Sequence, residues 1–188
     1  RPRRYRVGCT QRLFVGLEIP DELRDRLAKL QSGVHGAKWV PRENFHITLR
    51  FLGEIDEGMA HDIAHELDRL RAPSFDITLA GAGHFESNRR VRQLWVGVER
   101  SDALTALQKR VDTVATRAVG PDNQRFRPHV TVARLNGAQP EAVRHWLAAN
   151  SLFRAVPFAV ERFVLFSSFL GKSQALYRAE AEYPLTLA

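Results

Sequence analysis

The segment Leu13-Phe14-Val15-Gly16-Leu17-Glu18 recurs as Leu94-Trp95-Val96-Gly97-Val98-Glu99, 81 residues further on. Each copy leads into an acidic helix start, Asp21-Glu22-Leu23 and Asp102-Ala103-Leu104, at that same spacing. Then His46-Ile47-Thr48-Leu49 recurs as His129-Val130-Thr131-Val132, now 83 residues away, and Leu52 and Leu135 keep that distance. One loop insertion of two residues between the copies accounts for the slip. A period this long exceeds the roughly 20–50 residues of a solenoid repeat. Two similar lobes are therefore expected.

Local patterns repeat with the same rhythm. Arg12 to Ile19 is a short run of strand formers closed by Pro20. Leu23, Leu27 and Leu30 recur at helical spacing until Gly33. Phe45, Ile47, Leu49 and Phe51 alternate with His46, Thr48 and Arg50, the mark of a half-buried strand that ends at Gly53. Met59, Ile63, Leu67 and Leu70 predict a helix stopped by Pro73, and Phe75, Ile77 and Leu79 predict a strand. In the second half come a strand over Leu94 to Val98 and a helix on Leu104, Leu107, Val111 and Val114. A strand at Val130, a helix around Val143, Trp146 and Leu147, and strands near 158–166 and 175–183 complete it. Each lobe thus reads β-α-β-α-β-β, which argues for an α+β or α/β architecture with helices covering one face of each sheet. The basic extension over residues 1–11 is expected to stand apart from a single bilobal domain over 12–188, with lobes of roughly 12–90 and 91–188.

Composition narrows the functional classes. With 44% apolar and 26% charged residues the chain is globular rather than disordered. No run of about 18 apolar residues exists, so a membrane-spanning helix is not expected. The lone Cys9 has no partner for an internal disulfide or a zinc cluster, and the basic start is not followed by an apolar signal region. A reducing cytoplasm is the expected location, and a monomer the expected state. The net charge of +7 falls to about +3 once Arg1, Arg3, Arg4 and Arg6 of the extension are set aside, which is compatible with a phosphate-bearing partner.

On a strand, residues two apart project to one side. His46 and Thr48 therefore share the face opposite Ile47, and His129 and Thr131 the face opposite Val130. If a pseudo-two-fold axis relates the lobes, the two pairs converge across the cleft. Two imidazoles and two hydroxyls so placed suit in-line displacement at a phosphodiester. A neutral ring removes a proton from the attacking oxygen and a charged ring protonates the leaving one. Histidine, with an ordinary pKa near 6.5, supplies both forms, and neither a metal nor another cofactor is called for.

WVPRENFHITLRFLGE and FRPHVTVARL, together with the opening RLFVGLEIP, resemble the signature segments of the 2H phosphoesterase superfamily. The similarity is to its RNA 2′,3′-cyclic phosphodiesterases, formerly called 2′-5′ RNA ligases. It runs from Arg12 to Leu187. The resemblance implies a bilobal α+β fold, with antiparallel sheets lining a central cleft and helices outside, and hydrolysis of RNA terminal 2′,3′-cyclic phosphate to 2′-phosphate, with RNA ends or nucleotides of that kind as partners. It also implies His46 as proton donor, His129 as proton acceptor, and Thr48, Thr131 and Arg134 as phosphate-binding groups. Strand parity puts Arg134 on the apolar side with Val130 and Val132, so it reaches the cleft only if the strand bulges or ends near Ala133. Arg50 lies on the cleft face by parity, about 13 Å along the strand from His46, and is expected to meet distant substrate phosphates or solvent.

Other signals compete. His61-Asp62-Ile63-Ala64-His65 spaces two imidazoles as zinc peptidases do, but Asp62 stands where that pattern needs Glu. With Met59, Ile63 and Leu67 as the buried stripe, His61 and His65 fall on a solvated helix face. Trp39, Phe85 and Trp95 are read as core aromatics rather than base-stacking platforms. A non-catalytic module that grips RNA or nucleotide phosphates is the alternative from another functional class.

Overall fold

The computed structural model describes residues 9–187. In chain order the elements are β1 (Thr10–Glu18), α1 (Asp21–Ala28), β2 (Lys38–Trp39), a short 3₁₀ turn (Arg42–Asn44), β3 (His46–Asp56), α2 (Glu57–Asp68), β4 (Phe75–Ile77) and β5 (Leu79–Ser87). There follow β6 (Arg90–Val98), α3 (Asp102–Val119), β7 (His129–Arg134), α4 (Pro140–Asn150), β8 (Phe158–Val160), β9 (Arg162–Leu170) and β10 (Ala175–Pro184). Of the expected basic extension, residues 1–8 lie outside the described residues, Cys9 is exposed, and Thr10 and Gln11 belong to β1.

One open antiparallel sheet runs in the order β10-β9-β1-β3-β7-β6-β5, with β2 added to β7. Its two four-stranded halves meet at a single registered pair, Ile47 opposite Val130. The α+β expectation with helices outside holds, and the sheet halves carry an unforeseen exchange. Hairpin β9–β10 pairs with β1, next to β3, whereas hairpin β5–β6 pairs with β7. The turn of β5–β6 falls at Asn88 and Arg89, both at positive φ, the backbone a two-residue hairpin turn requires. The stretch 75–79 reads as one strand but breaks at Thr78. β4 leaves the main sheet to pair with β8 in a separate ribbon, and β8 parts from β9 at Glu161 in the same way.

Leu104, Leu107, Val111 and Ala115 of α3 and Ile63 and Leu67 of α2 are buried against Leu13, Leu17, Ile47 and Leu49 of the sheet. Burying each such side chain contributes about 1.5–3 kcal/mol. Met59, expected in the buried stripe, is 36% exposed. It sits in the first turn of α2, where its backbone N–H is capped by Asp56, before the helix settles on the sheet. The repeated Val-Gly pair has a steric cause. A Cβ on Gly16 would lie 2.8 Å from the Ile47 carbonyl, and one on Gly97 the same distance from the Ala80 carbonyl. Both glycines let neighbouring strands close up beneath the cleft. Among the described residues no helix is long and apolar enough to cross a membrane.

Candidate active site

The axis relating the halves passes by the Ile47–Val130 pair, so His46 and Thr48 flank one member and His129 and Thr131 the other. Continuing this antiparallel register sets His46 across from Thr131 and Thr48 across from His129. The two histidines are then diagonal neighbours, about 7–8 Å apart at the backbone. All four side chains line one cleft of about 780 Å³, which Arg134 also lines.

Both imidazoles are oriented the same way. His46 Nδ1 lies 2.7 Å from the Asn44 carbonyl and His129 Nδ1 lies 2.6 Å from the Arg127 carbonyl, each two residues upstream. A carbonyl only accepts, so Nδ1–H donates in both and Nε2 is the free nitrogen. His46 Nε2 is 2.9 Å from Thr48 Oγ1. In the neutral ring the Thr48 hydroxyl donates to it. The Thr131 hydroxyl donates to Gln93 Oε1 at 3.2 Å.

Arg134 reaches the cleft through a bulge. The β6–β7 register slips between Leu94 and Trp95, and the consecutive residues Val132 and Ala133 are both fully buried. Alternation is thereby reset, and Arg134 joins His129 and Thr131 on the cleft side. β3 carries the same irregularity 83 residues earlier, since its register with β1 slips between Val15 and Gly16, and Leu49 and Arg50 are both buried. Two expectations are overturned there. Arg50 is not on the cleft but turned inward, 6% exposed, paired with Asp112 at 2.8 Å and donating to the carbonyls of Phe51 and Gly120 at 2.8 and 2.6 Å. Phe51, read as core, is 61% exposed and lines the cleft at the position equivalent to Arg134.

The surroundings of the two rings differ. His46 packs against Phe14, Tyr177 and Phe166, with ring centroids 4.8, 5.1 and 6.2 Å away. His129 has Phe85 at 4.9 Å and Trp95 at 5.9 Å. Phe14 and Trp95 are repeat equivalents, while Tyr177 comes from β10, the outer strand of the first half. Burial is the largest influence on His46 and pushes it down to about 4, against the bond to Asn44 and assisted by the charges of His129, Arg134 and Arg24. Burial likewise lowers His129; the bond to Arg127 opposes it and Arg134 adds to it. An empty cleft therefore holds two neutral rings near pH 7, next to an arginine that favours an anion.

Sequence reasoning missed Gln93, Tyr177 and Phe51, and took Phe85 and Trp95 for core. The 81-residue repeat carries a signal for one of them, because Gln93 is the equivalent of Arg12 and both line the cleft. Nothing local marks Tyr177. His61 and His65 are exposed on α2, and among the described residues no group of three or more His, Cys, Asp or Glu side chains is gathered.

Residues 17–95 and 96–177 each match the family described as LigT like Phosphoesterase, two matches that divide close to the repeat. The RNA 2′,3′-cyclic phosphodiesterase of Thermotoga maritima is 32% identical over 89% of this chain and 91% of its own length. That of Aquifex aeolicus is 32% identical over 93% of this chain and 97% of its own length. Among solved structures, LigT of E. coli complexed with 3′-AMP superposes with a TM-score of 0.78 at 27% identity, covering 95% of this chain and 99% of that one. With two family matches spanning most of its length and a fold shared over nearly all of it, the chain belongs to the LigT-like phosphoesterases.

Proposed function

We propose that this chain hydrolyses the 2′,3′-cyclic phosphate of an RNA end to a 2′-phosphate, using only its own side chains. The observation that carries the reading is the matched pair of histidines on adjacent strands. Each is locked through Nδ1 to a carbonyl two residues upstream, and each turns Nε2 toward one cleft. The names of the Thermotoga and Aquifex relatives support the same substrate class.

In the proposed reaction water attacks phosphorus in line with the bond to the 3′ oxygen. His129 Nε2 takes the proton of the water as the new P–O bond forms. His46 gives its Nε2 proton to the 3′ oxygen as that bond breaks, leaving the 2′ ester and a free 3′ hydroxyl. The two rings have then exchanged a charge, and solvent returns the proton. Once His46 is protonated its Nε2 no longer accepts, so the Thr48 hydroxyl is released to donate to a non-bridging oxygen. Thr131 serves the other side, and Arg134 balances the phosphate charge. With the 5′ hydroxyl of a second RNA in place of water, the same groups would form a 2′-5′ linkage.

The test is hydrolysis of adenosine 2′,3′-cyclic phosphate in excess EDTA. Turnover is expected to persist, and His46→Ala and His129→Ala are each expected to lose about 10²–10⁴-fold. Full activity in either variant would sink the two-histidine mechanism. Salt-dependent RNA binding without any turnover would instead identify a phosphate-binding module.

A further inference from the structure

Beside the cleft, between β2 and the start of β10, lies a small open recess of about 70 Å³. It opens into the cleft, because Asn44, Arg134 and Tyr177 line both. Its mouth carries Lys38, which is registered opposite Arg134 across the β2–β7 pair, so the two cations project from the same face. Like charges directly opposite on neighbouring strands destabilise a sheet. Among the described residues neither cation makes an ion pair.

The platform is nonetheless firmly held. Val40 N–H donates to the Val132 carbonyl at 3.0 Å, and Gln31 Nε2 donates to the carbonyls of Val40 and Val132 at 2.7 and 3.0 Å. Across the recess the buried Asn44 side chain donates to the Ala175 carbonyl at 2.7 Å. The other end of the cleft has no such pair. There the equivalent of Arg134 is Phe51, and Glu54 adds a negative charge. Arg12 lines that end as well but is registered opposite Glu54, so only the recess end sets two cations side by side.

We propose that this recess is a subsite for the phosphodiester that joins the terminal nucleotide to the one before it, gripped by Lys38 and Arg134. The inference rests on the function proposed above and deepens it. It makes the preferred substrate an oligoribonucleotide end rather than a free cyclic mononucleotide.

The experiment measures kcat/KM for three substrates: adenosine 2′,3′-cyclic phosphate, the same nucleotide bearing a 5′-phosphate, and the dinucleotide ApA ending in a 2′,3′-cyclic phosphate. The dinucleotide is expected to exceed the unphosphorylated mononucleotide by about tenfold or more, the worth of one charge-assisted phosphate contact. That ratio is expected to fall toward one in Lys38→Ala and to be retained in Lys38→Arg. The logarithmic salt slope for the dinucleotide is expected to shrink by about 0.7 in Lys38→Ala. An advantage for the 5′-phosphorylated mononucleotide equal to that of the dinucleotide would replace the phosphodiester by a terminal phosphate and overturn the oligonucleotide preference. A ratio near one in the unaltered protein, or one that Lys38→Ala leaves intact, would overturn the subsite itself. If no substrate turns over, the proposed hydrolysis fails. Calorimetric affinities of ApAp and 3′-AMP then decide the subsite, with the same tenfold ratio and the same loss in Lys38→Ala expected and equal affinities overturning it.

Discussion

His46 is enclosed by three aromatic rings and His129 by two, and the third ring belongs to an outer strand that only one half of the sheet possesses. The proposed donor is thus the ring whose proton is hardest to keep, pushed down to about 4. An anion between the rings reverses that penalty, since a negative charge within a few ångströms favours imidazolium. Binding of phosphate or of a nucleotide product is therefore expected to take up protons between about pH 4 and 7, so affinity rises as pH falls through that window. Calorimetry in buffers of different ionisation enthalpy measures the uptake directly. Binding that moves no protons across the window would contradict the proposed donor role of His46. The two histidines and two threonines were legible in the sequence because strand parity is undisturbed over His46–Thr48 and His129–Thr131. Tyr177 was not, because a residue more than a hundred positions away reaches His46 only through the pairing of β10 with β9.

At the level of elements, the matching bulges of β3 and β7 decide what each strand presents beyond its His-x-Thr. Regular alternation would put Arg50 in the cleft and Phe51 in the core, and the structure reverses both. Periodicity alone cannot locate a bulge, because one extra residue leaves no compositional trace unless glycine marks it. The odd offset of Arg134 from His129 did point to one, and the register slip at Val132 supplies it. Turned inward, Arg50 ties β3 to α3 through Asp112 and to the carbonyl of Gly120, where the segment leading to His129 begins. Arg50→Ala leaves that carbonyl and the partly exposed Asp112 without their partner, and a loss of about 2–4 kcal/mol is expected. Urea unfolding of the variant measures it, and a change below about 0.5 kcal/mol would show that the arginine ties nothing together.

Across the whole molecule, the duplication was readable because the repeated segments fall on the central strands β1, β3, β6 and β7. The assignment of the outer hairpins was not. β5 and β9 occupy equivalent places in the two halves, yet each joins the strand of the other sequence repeat, β5 beside β6 and β9 beside β1. No sequence period distinguishes a lobe that closes on itself from one that borrows its edge. The exchange ties the halves into one sheet whose thinnest seam, the Ile47–Val130 pair, lies directly beneath the two histidines. A crystal structure of the protein with inorganic phosphate probes that seam most directly. One tetrahedral anion is expected within hydrogen-bonding distance of Nε2 of both His46 and His129, with the Thr48 and Thr131 hydroxyls on its remaining oxygens. An anion held by one ring alone, with the second imidazole out of reach, would contradict the account.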